Sequence, residues 1–212
     1  MKRFRVRAIG LGTGMALMLA VFIALGTLSQ AQPQVPDELL ELSNTLNEQV
    51  ELALQEASLA WTSPTFDDVR RTALRTINIL GGETGSDFDA VVGNPGDGTG
   101  VLLHAINLND ALLDSPWEDF AVTTDFVIAF SGWALEHARN AINASTEAEA
   151  RDEIRRAVGF LRAARGCRDD LPTSGGTLTI LTIMQDTVSN VLGAFFQAEP
   201  SKDHHAEFVE SH

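Results

Sequence analysis

Residues 39–64 read LLELSNTLNEQVELALQEASLAWTSP, and the spacing of their apolar members decides the fold. Leu39, Leu42, Leu46, Val50, Ala53, Ala57 and Trp61 return every three or four positions, so an α-helix places them on one face. Thr62-Ser63-Pro64 ends the run, because proline removes a backbone donor and clashes with the preceding turn. Thr65, with Asp68 three residues on, is a capping box that opens a second helix.

The same pattern continues along the chain. Phe66, Val69, Ala73, Ile77 and Leu80 line the second helix, which stops at Gly81-Gly82 as a helix needing a left-handed cap would. After a loop over 83–100, Val101, Ala105, Leu108 and Leu112 mark a third. Ser115-Pro116 opens a fourth, striped by Ala121, Thr124, Ile128, Leu135, Ala138 and Ile142. Phe120, Phe126, Val127, Phe130 and Trp133 make the fourth helix apolar nearly all round, which predicts a buried, central position. Thr146 with Glu149 caps a fifth, carrying Ala150, Ile154, Ala157, Leu161 and Ala164. A second loop holds Cys167 to Gly176. The sixth helix turns Ile180, Met184, Val188, Val191 and Phe195 inward, although Thr177-Leu178-Thr179-Ile180 alternates like a strand.

These readings predict an all-α protein, a bundle of about six helices over residues 32–197 followed by a polar tail over 198–212. A tandem duplication of a three-helix unit, with halves 37–114 and 116–197, fits the pattern. Adding 81 carries Ala53, Leu54, Ala57, Ala60 and Thr65 onto Ala134, Leu135, Ala138, Ala141 and Thr146. Adding 85 carries Asp67, Arg70, Arg71 and Gly81 onto Asp152, Arg155, Arg156 and Gly166. Ala and Leu at helical spacing also match by chance.

The N-terminus predicts export. Lys2, Arg3, Arg5 and Arg7 precede an apolar run from Met15 to Leu28, and Leu28-Ser29-Gln30-Ala31 supplies small residues for cleavage after Ala31. Gly10, Gly12 and Gly14 leave the run short of the ~20 apolar residues of a spanning anchor. The processed protein would be periplasmic or extracellular, without a membrane span. Removing residues 1–31 takes the net charge of the 212-residue chain from −14 to −18, which argues against nucleic acid as a partner. The single cysteine, Cys167, allows no internal disulfide and is read as a small residue past a helix end.

Candidate sites are few. Asp87, Asp89, Asn94 and Asp97 in the first loop supply hard oxygen ligands that could hold Ca²⁺. Their D-x-D start is EF-hand-like, but Val92 stands where the loop glycine would be and Gly98 where the final glutamate would be. Solvated turn carboxylates are the alternative. A transition metal could use His104 on the third helix and His137, beside Glu136, on the fourth. The tail adds His204, His205 and His212 beside Asp203, Glu207 and Glu210. Arginines cluster on the second and fifth helices and are expected to pair with glutamates of neighbouring helices. Thr99 or Asp97 could cap the third helix.

No G-x-S-x-G elbow, Cys/His signature, Walker loop or Rossmann fingerprint occurs. The G-x-H-x-x-E motif of imelysin-type iron-uptake proteins, also exported helical bundles, is missing too. The segments Asn78-Ile79-Leu80-Gly81-Gly82 and Gly93-Asn94-Pro95-Gly96-Asp97-Gly98-Thr99-Gly100-Val101-Leu102 resemble a signature of uncharacterised exported bacterial helical proteins. That resemblance spans about residues 64–105 and implies export and a helical fold but no activity. The expectation is a non-enzymatic binding or scaffold protein for an extracytoplasmic protein or small ligand, with metal binding as the alternative.

Overall fold

The computed structural model describes residues 34–166 and 175–186. Its helices are α1 (Asp37–Thr62), α2 (Phe66–Gly81), α3 (Val101–Leu113), α4 (Ala121–Asn143) and α5 (Glu147–Arg165), with a 3₁₀ turn at Glu118–Phe120 ahead of α4. A sixth, α6, runs through 177–186, and no strand occurs among the described residues. The chain is an all-α helical bundle. No described helix is long and apolar enough to cross a membrane. The expected signal over 1–31, Cys167, Val188, Val191, Phe195 and the tail with His204, His205 and His212 lie outside the described residues.

α1 packs on α2 and α5, and α4 packs on α5 and α2, so these four form a ring with α1 and α4 on one diagonal. α3 lies against α1 and α4. α6 follows α1, with Thr177 Oγ1 donating to Asn47 Oδ1 at 2.8 Å and Ser43 Oγ 3.3 Å from Met184 Sδ. Leu46 and Val50 of α1, Ile77 and Leu80 of α2, Leu108 of α3, Ile154 and Leu161 of α5, and Ile180 and Met184 of α6 are shut away from solvent. Each such side chain contributes about 2 kcal/mol. The alanines at 53, 57 and 60, and again at 134, 138 and 141, are fully buried, and their small size lets helix backbones approach.

Two helix starts share one geometry. Thr65 and Thr146 adopt the same extended backbone (φ −125°, ψ 158° and φ −131°, ψ 155°), and each hydroxyl accepts from the N–H three residues on, Asp68 and Glu149. Adding 81 carries the buried Val69, Ala73, Thr76, Ile77 and Leu80 onto the buried Ala150, Ile154, Ala157, Val158 and Leu161. It also carries Arg70 onto Arg151 and Ser63 onto Ala144. Arg70 Nη2 donates to Ala144 O at 2.7 Å, and Arg151 Nη2 donates to Ser63 O at 2.5 Å. Arg70 thus caps the end of α4 and Arg151 the end of α1.

Two details correct the sequence reading. The glycine answering to Gly166 is Gly82, not Gly81, because α5 runs 19 residues and α2 runs 16. Both corner glycines have positive φ with ψ near 180° (70°, 179° and 83°, 176°), so they turn the chain into extended backbone, not the left-handed cap expected. Secondly, the cap position of α3 is Gly100, with no side-chain cap, and Asp97 Oδ1 accepts from Thr99 N instead. The sixth helix stands as read: 177–180 is helical despite its alternation, with Ile180 and Met184 buried.

Candidate functional site

Asn78 organises the first loop. It sits fully buried near the end of α2, donates to Asp89 O at 2.7 Å and Gly93 O at 2.8 Å, and accepts from Asp89 N at 2.9 Å. One side-chain amide therefore substitutes for a short strand partner. Glu83 N donates to Gly98 O at 2.8 Å, closing the loop's base. Its Asn94–Asp97 segment lies over α1: a Cβ on Gly96 would meet Gln49 Oε1 at 2.7 Å and Ile79 Cγ1 at 3.6 Å, and Asp97 N donates to Gln49 Oε1 at 3.4 Å.

The four loop residues considered for Ca²⁺ point to different partners. Asp87 pairs with Arg139 of α4. Asp89 Oδ1 accepts from Val91 N at 2.8 Å, Asn94 Oδ1 from Gly96 N at 2.9 Å, and Asp97 Oδ2 lies 2.6 Å from His104 Nε2. Among the described residues, no group of three or more His, Cys, Asp or Glu side chains is gathered as a metal ion would need. Burial raises the Asp97 carboxyl, but the Thr99 N–H, the His104 ring and the Gly100 N–H outweigh it and hold it below the ordinary value. His104 is itself buried, at the edge of a groove of about 330 Å³ lined by Glu38, Glu41, Leu42 and Thr45.

His104 and His137 are not brought together. His137 Nδ1 lies 2.6 Å from Glu153 Oε2 of α5, not on its neighbour Glu136, and Arg156 Nη1 donates to Glu153 Oε1 at 2.8 Å. Across from it, the buried Glu56 pairs with Arg75 at 2.9 Å. Burial pushes the Glu56 carboxyl up, and Arg75 only partly offsets this. Inter-helix pairing of arginine with glutamate thus occurs at Arg75–Glu56 and Arg165–Glu51 (3.5 Å). Arg155 and Arg156 bond instead to Asp152 on their own helix, and Arg70 and Arg151 to helix-end carbonyls.

α4 departs most from expectation. Its buried stripe is Ala121, Thr124, Val127, Ser131, Ala134, Leu135, Ala138 and Ala141, so Ile128 and Ile142 are only half-buried. The opposite side is open: Val122, Phe126 and Trp133 are 60%, 54% and 48% exposed. α2, α3 and α5 pack against α4 and leave these three side chains exposed. Trp61, expected inward, is likewise exposed at the end of α1.

The aromatic rings form a cluster in which Phe126 and Trp133 are exposed and Phe130 and Phe160 half-buried. Phe126 and Phe130 stack at 6.3 Å, Phe130 meets Trp133 at 5.6 Å, and Phe160 of α5 lies 5.3 Å from Trp133 and 6.4 Å from Phe130. The His137 ring stacks on Phe160 at 5.3 Å and 10°. His137 is tied to Glu153, which Arg156 also holds, so the aromatic cluster has a polar edge. The sequence held this signal in Phe126, Phe130 and Trp133, but excess apolarity in one helix reads equally as burial. Phe160 gave no signal, because only packing brings it to α4.

No protein-family model, curated protein or solved structure matches the chain.

Proposed function

We propose that this is an exported, non-enzymatic binding module that engages a protein partner through the aromatic face of α4 and α5. The observation supporting this is the exposure of Val122, Phe126 and Trp133 along α4, beside the half-buried Phe130 and Phe160. Soluble domains rarely expose contiguous apolar patches unless something docks there, and tryptophan and phenylalanine are the usual anchors of interfaces. Export rests on the basic, apolar and small-residue order of residues 1–31. Binding is preferred to a Ca²⁺ role because the oxygens of Asp87, Asp89, Asn94 and Asp97 are engaged by Arg139, backbone N–H groups and His104.

The test compares the wild-type chain with a Phe126→Ser/Trp133→Ser variant. Both side chains are about half exposed, so the variant is expected to keep its circular dichroism and melting temperature. Affinity capture from envelope extract of the source cell is expected to recover a protein that wild type retains and the variant loses, and that rebinds when purified. Equal recovery by both baits would remove the proposal.

A further inference from the structure

We propose that the groove between the start of α1 and the start of α3 binds a small linear diamine, held by the Glu38 and Glu41 carboxylates and by Nδ1 of His104. The site shares no residue with the aromatic cluster of α4 and α5.

Glu38, Glu41, Leu42 and Thr45 stand at helical spacing on α1, and His104 of α3 completes the wall of a groove of about 330 Å³. His104 is 8% exposed, and its Nε2 lies 2.6 Å from Asp97 Oδ2. Hydrogen bonds hold the Asp97 carboxyl below its ordinary value, so it is a carboxylate at neutral pH. A carboxylate only accepts, so the ring proton sits on Nε2 and Nδ1 is left as a lone-pair acceptor. Nδ1 has no hydrogen-bond partner among the described residues. Asp97 does not line the groove, and the ring nitrogen left for an occupant is Nδ1.

Packing does not call for this pair. His104 is the fourth residue after Gly100, as Ile180 is the fourth after Gly176. Both glycines have positive φ (94° and 89°), and the His104 and Ile180 N–H groups donate to their carbonyls at 3.1 Å and 3.4 Å. Ile180 is fully buried. The same turn thus closes over an apolar side chain, and exchanging a buried ion pair for an apolar residue is often neutral or stabilising.

The groove's chemistry selects its occupant. Glu51 and Glu56, further along α1, meet Arg165 and Arg75, whereas no described cation pairs with Glu38 or Glu41. Two carboxylates and an imidazole lone pair only accept hydrogen bonds, so their complement is a donor-rich cation, and a primary ammonium brings three donors. A single metal ion is a poor fit, because no group of three or more His, Cys, Asp or Glu side chains is gathered among the described residues. Acceptors spread over α1 and α3 suit two charges separated by a short chain, to which Leu42 offers an apolar contact. The net charge of −14 raises the local concentration of cations.

The experiment titrates the full processed chain with 1,4-diaminobutane by isothermal calorimetry, with butane-1,4-diol, n-butylamine and CaCl₂ run alongside. The diamine is expected to bind saturably, the diol not at all, and n-butylamine and Ca²⁺ about tenfold more weakly than the diamine. The nitrogen NMR signal of His104 Nδ1 is expected to move as the diamine is added. Glu38→Gln/Glu41→Gln alters two exposed side chains without described ion-pair partners. It is expected to weaken the diamine about tenfold with circular dichroism and melting temperature unchanged. His104→Leu, apolar as Ile180 is, is expected to keep the fold and weaken the diamine about fivefold. A diamine that gives no saturable heat would overturn the proposal. So would equal binding by the diol or by n-butylamine, tighter binding by Ca²⁺, or a diamine affinity unchanged in the double glutamine variant.

Discussion

Arg70 and Arg151 each donate to the carbonyl just past the end of a long helix from another part of the chain. Arg70 of α2 donates to the carbonyl of Ala144, just past α4, and Arg151 of α5 donates to Ser63, just past α1. Helix C-termini leave carbonyls unsatisfied and carry partial negative charge, so a guanidinium there satisfies a hydrogen bond and the dipole together.

Replacing either arginine by methionine, which keeps the apolar stem, is expected to cost about 2 kcal/mol, the range for hydrogen bonds to charged groups. Arg70 also lies 4.1 Å over the Phe66 ring, and Arg151 also donates to Trp61 O at 2.7 Å and pairs with Glu147, so neither loss should fall below that of the shared bond. Urea unfolding of the two single variants checks both statements. A loss well under 0.5 kcal/mol from each would show that the shared contact does not hold those helix ends (surface ion pairs often contribute that little).

The corner glycines should be intolerant and their neighbour should not. Gly82 and Gly166 occupy a φ/ψ region nearly closed to other residues, and a Cβ on either would meet a backbone carbonyl oxygen at 2.1 Å. Gly82→Ala and Gly166→Ala are each expected to destabilise by about 3 kcal/mol or more. Gly81 is the last residue of α2 and a Cβ there would meet nothing within 4 Å. Gly81→Ala is therefore expected to stabilise by about 0.5–1 kcal/mol through lost backbone freedom in the unfolded chain. Thermal melts of the three variants should order them Gly81→Ala above wild type and the other two below.

Glu56 predicts a stability change that grows with pH. Its folded-state pKa is raised by burial, so its contribution is greatest below the ordinary glutamate value and is lost as pH rises through the raised value. Oε2 has no hydrogen-bond partner among the described residues. Glu56→Gln removes that buried charge and leaves Arg75, 37% exposed, in reach of water. The variant is expected to equal or exceed wild-type stability at pH 7, with the difference fading below about pH 4.5. Denaturant midpoints at pH 4 and pH 7 test it, and a variant much weaker at pH 7 would contradict it.

Asp97 acts with the opposite sign. Its folded-state pKa is lowered by hydrogen bonds from Thr99, His104 and Gly100 that outweigh burial, so its contribution is present above the ordinary value near 3.9 and disappears as pH falls through the lowered one. Asp97→Asn is expected to weaken the protein at neutral pH and to converge on wild type in acid. Amide hydrogen exchange should locate the loss at the Asn94–Gly100 segment and the start of α3, where Asp97 bonds Thr99 N and His104. A pH-independent difference would mean that the carboxylate's charge is irrelevant there.

Much of this was legible in the chain itself. The steps of three and four at Leu39, Leu46, Val50, Ala53 and Ala57 required helices, and Thr65 and Thr146 began two of them where the capping pattern stands. These are local signals, set by neighbours within one helical turn, and a sequence displays them directly. The loop carboxylates were visible as residues but not as partners, since nothing near Asp87 in the chain announces Arg139. His137 was read beside Glu136, yet its partner comes from α5.

The amino-acid order determined the helices and the caps at Thr65 and Thr146, because hydrophobic period and backbone capping act over a few residues. Tertiary structure alone decided that Phe126 and Trp133 face water, that Phe160 joins them, and that Gly82 is the corner matching Gly166. Those depend on which flanks of a helix its neighbours cover. That is a property of chains folded on one another, and a helix rich in apolar residues carries no mark of the side left open.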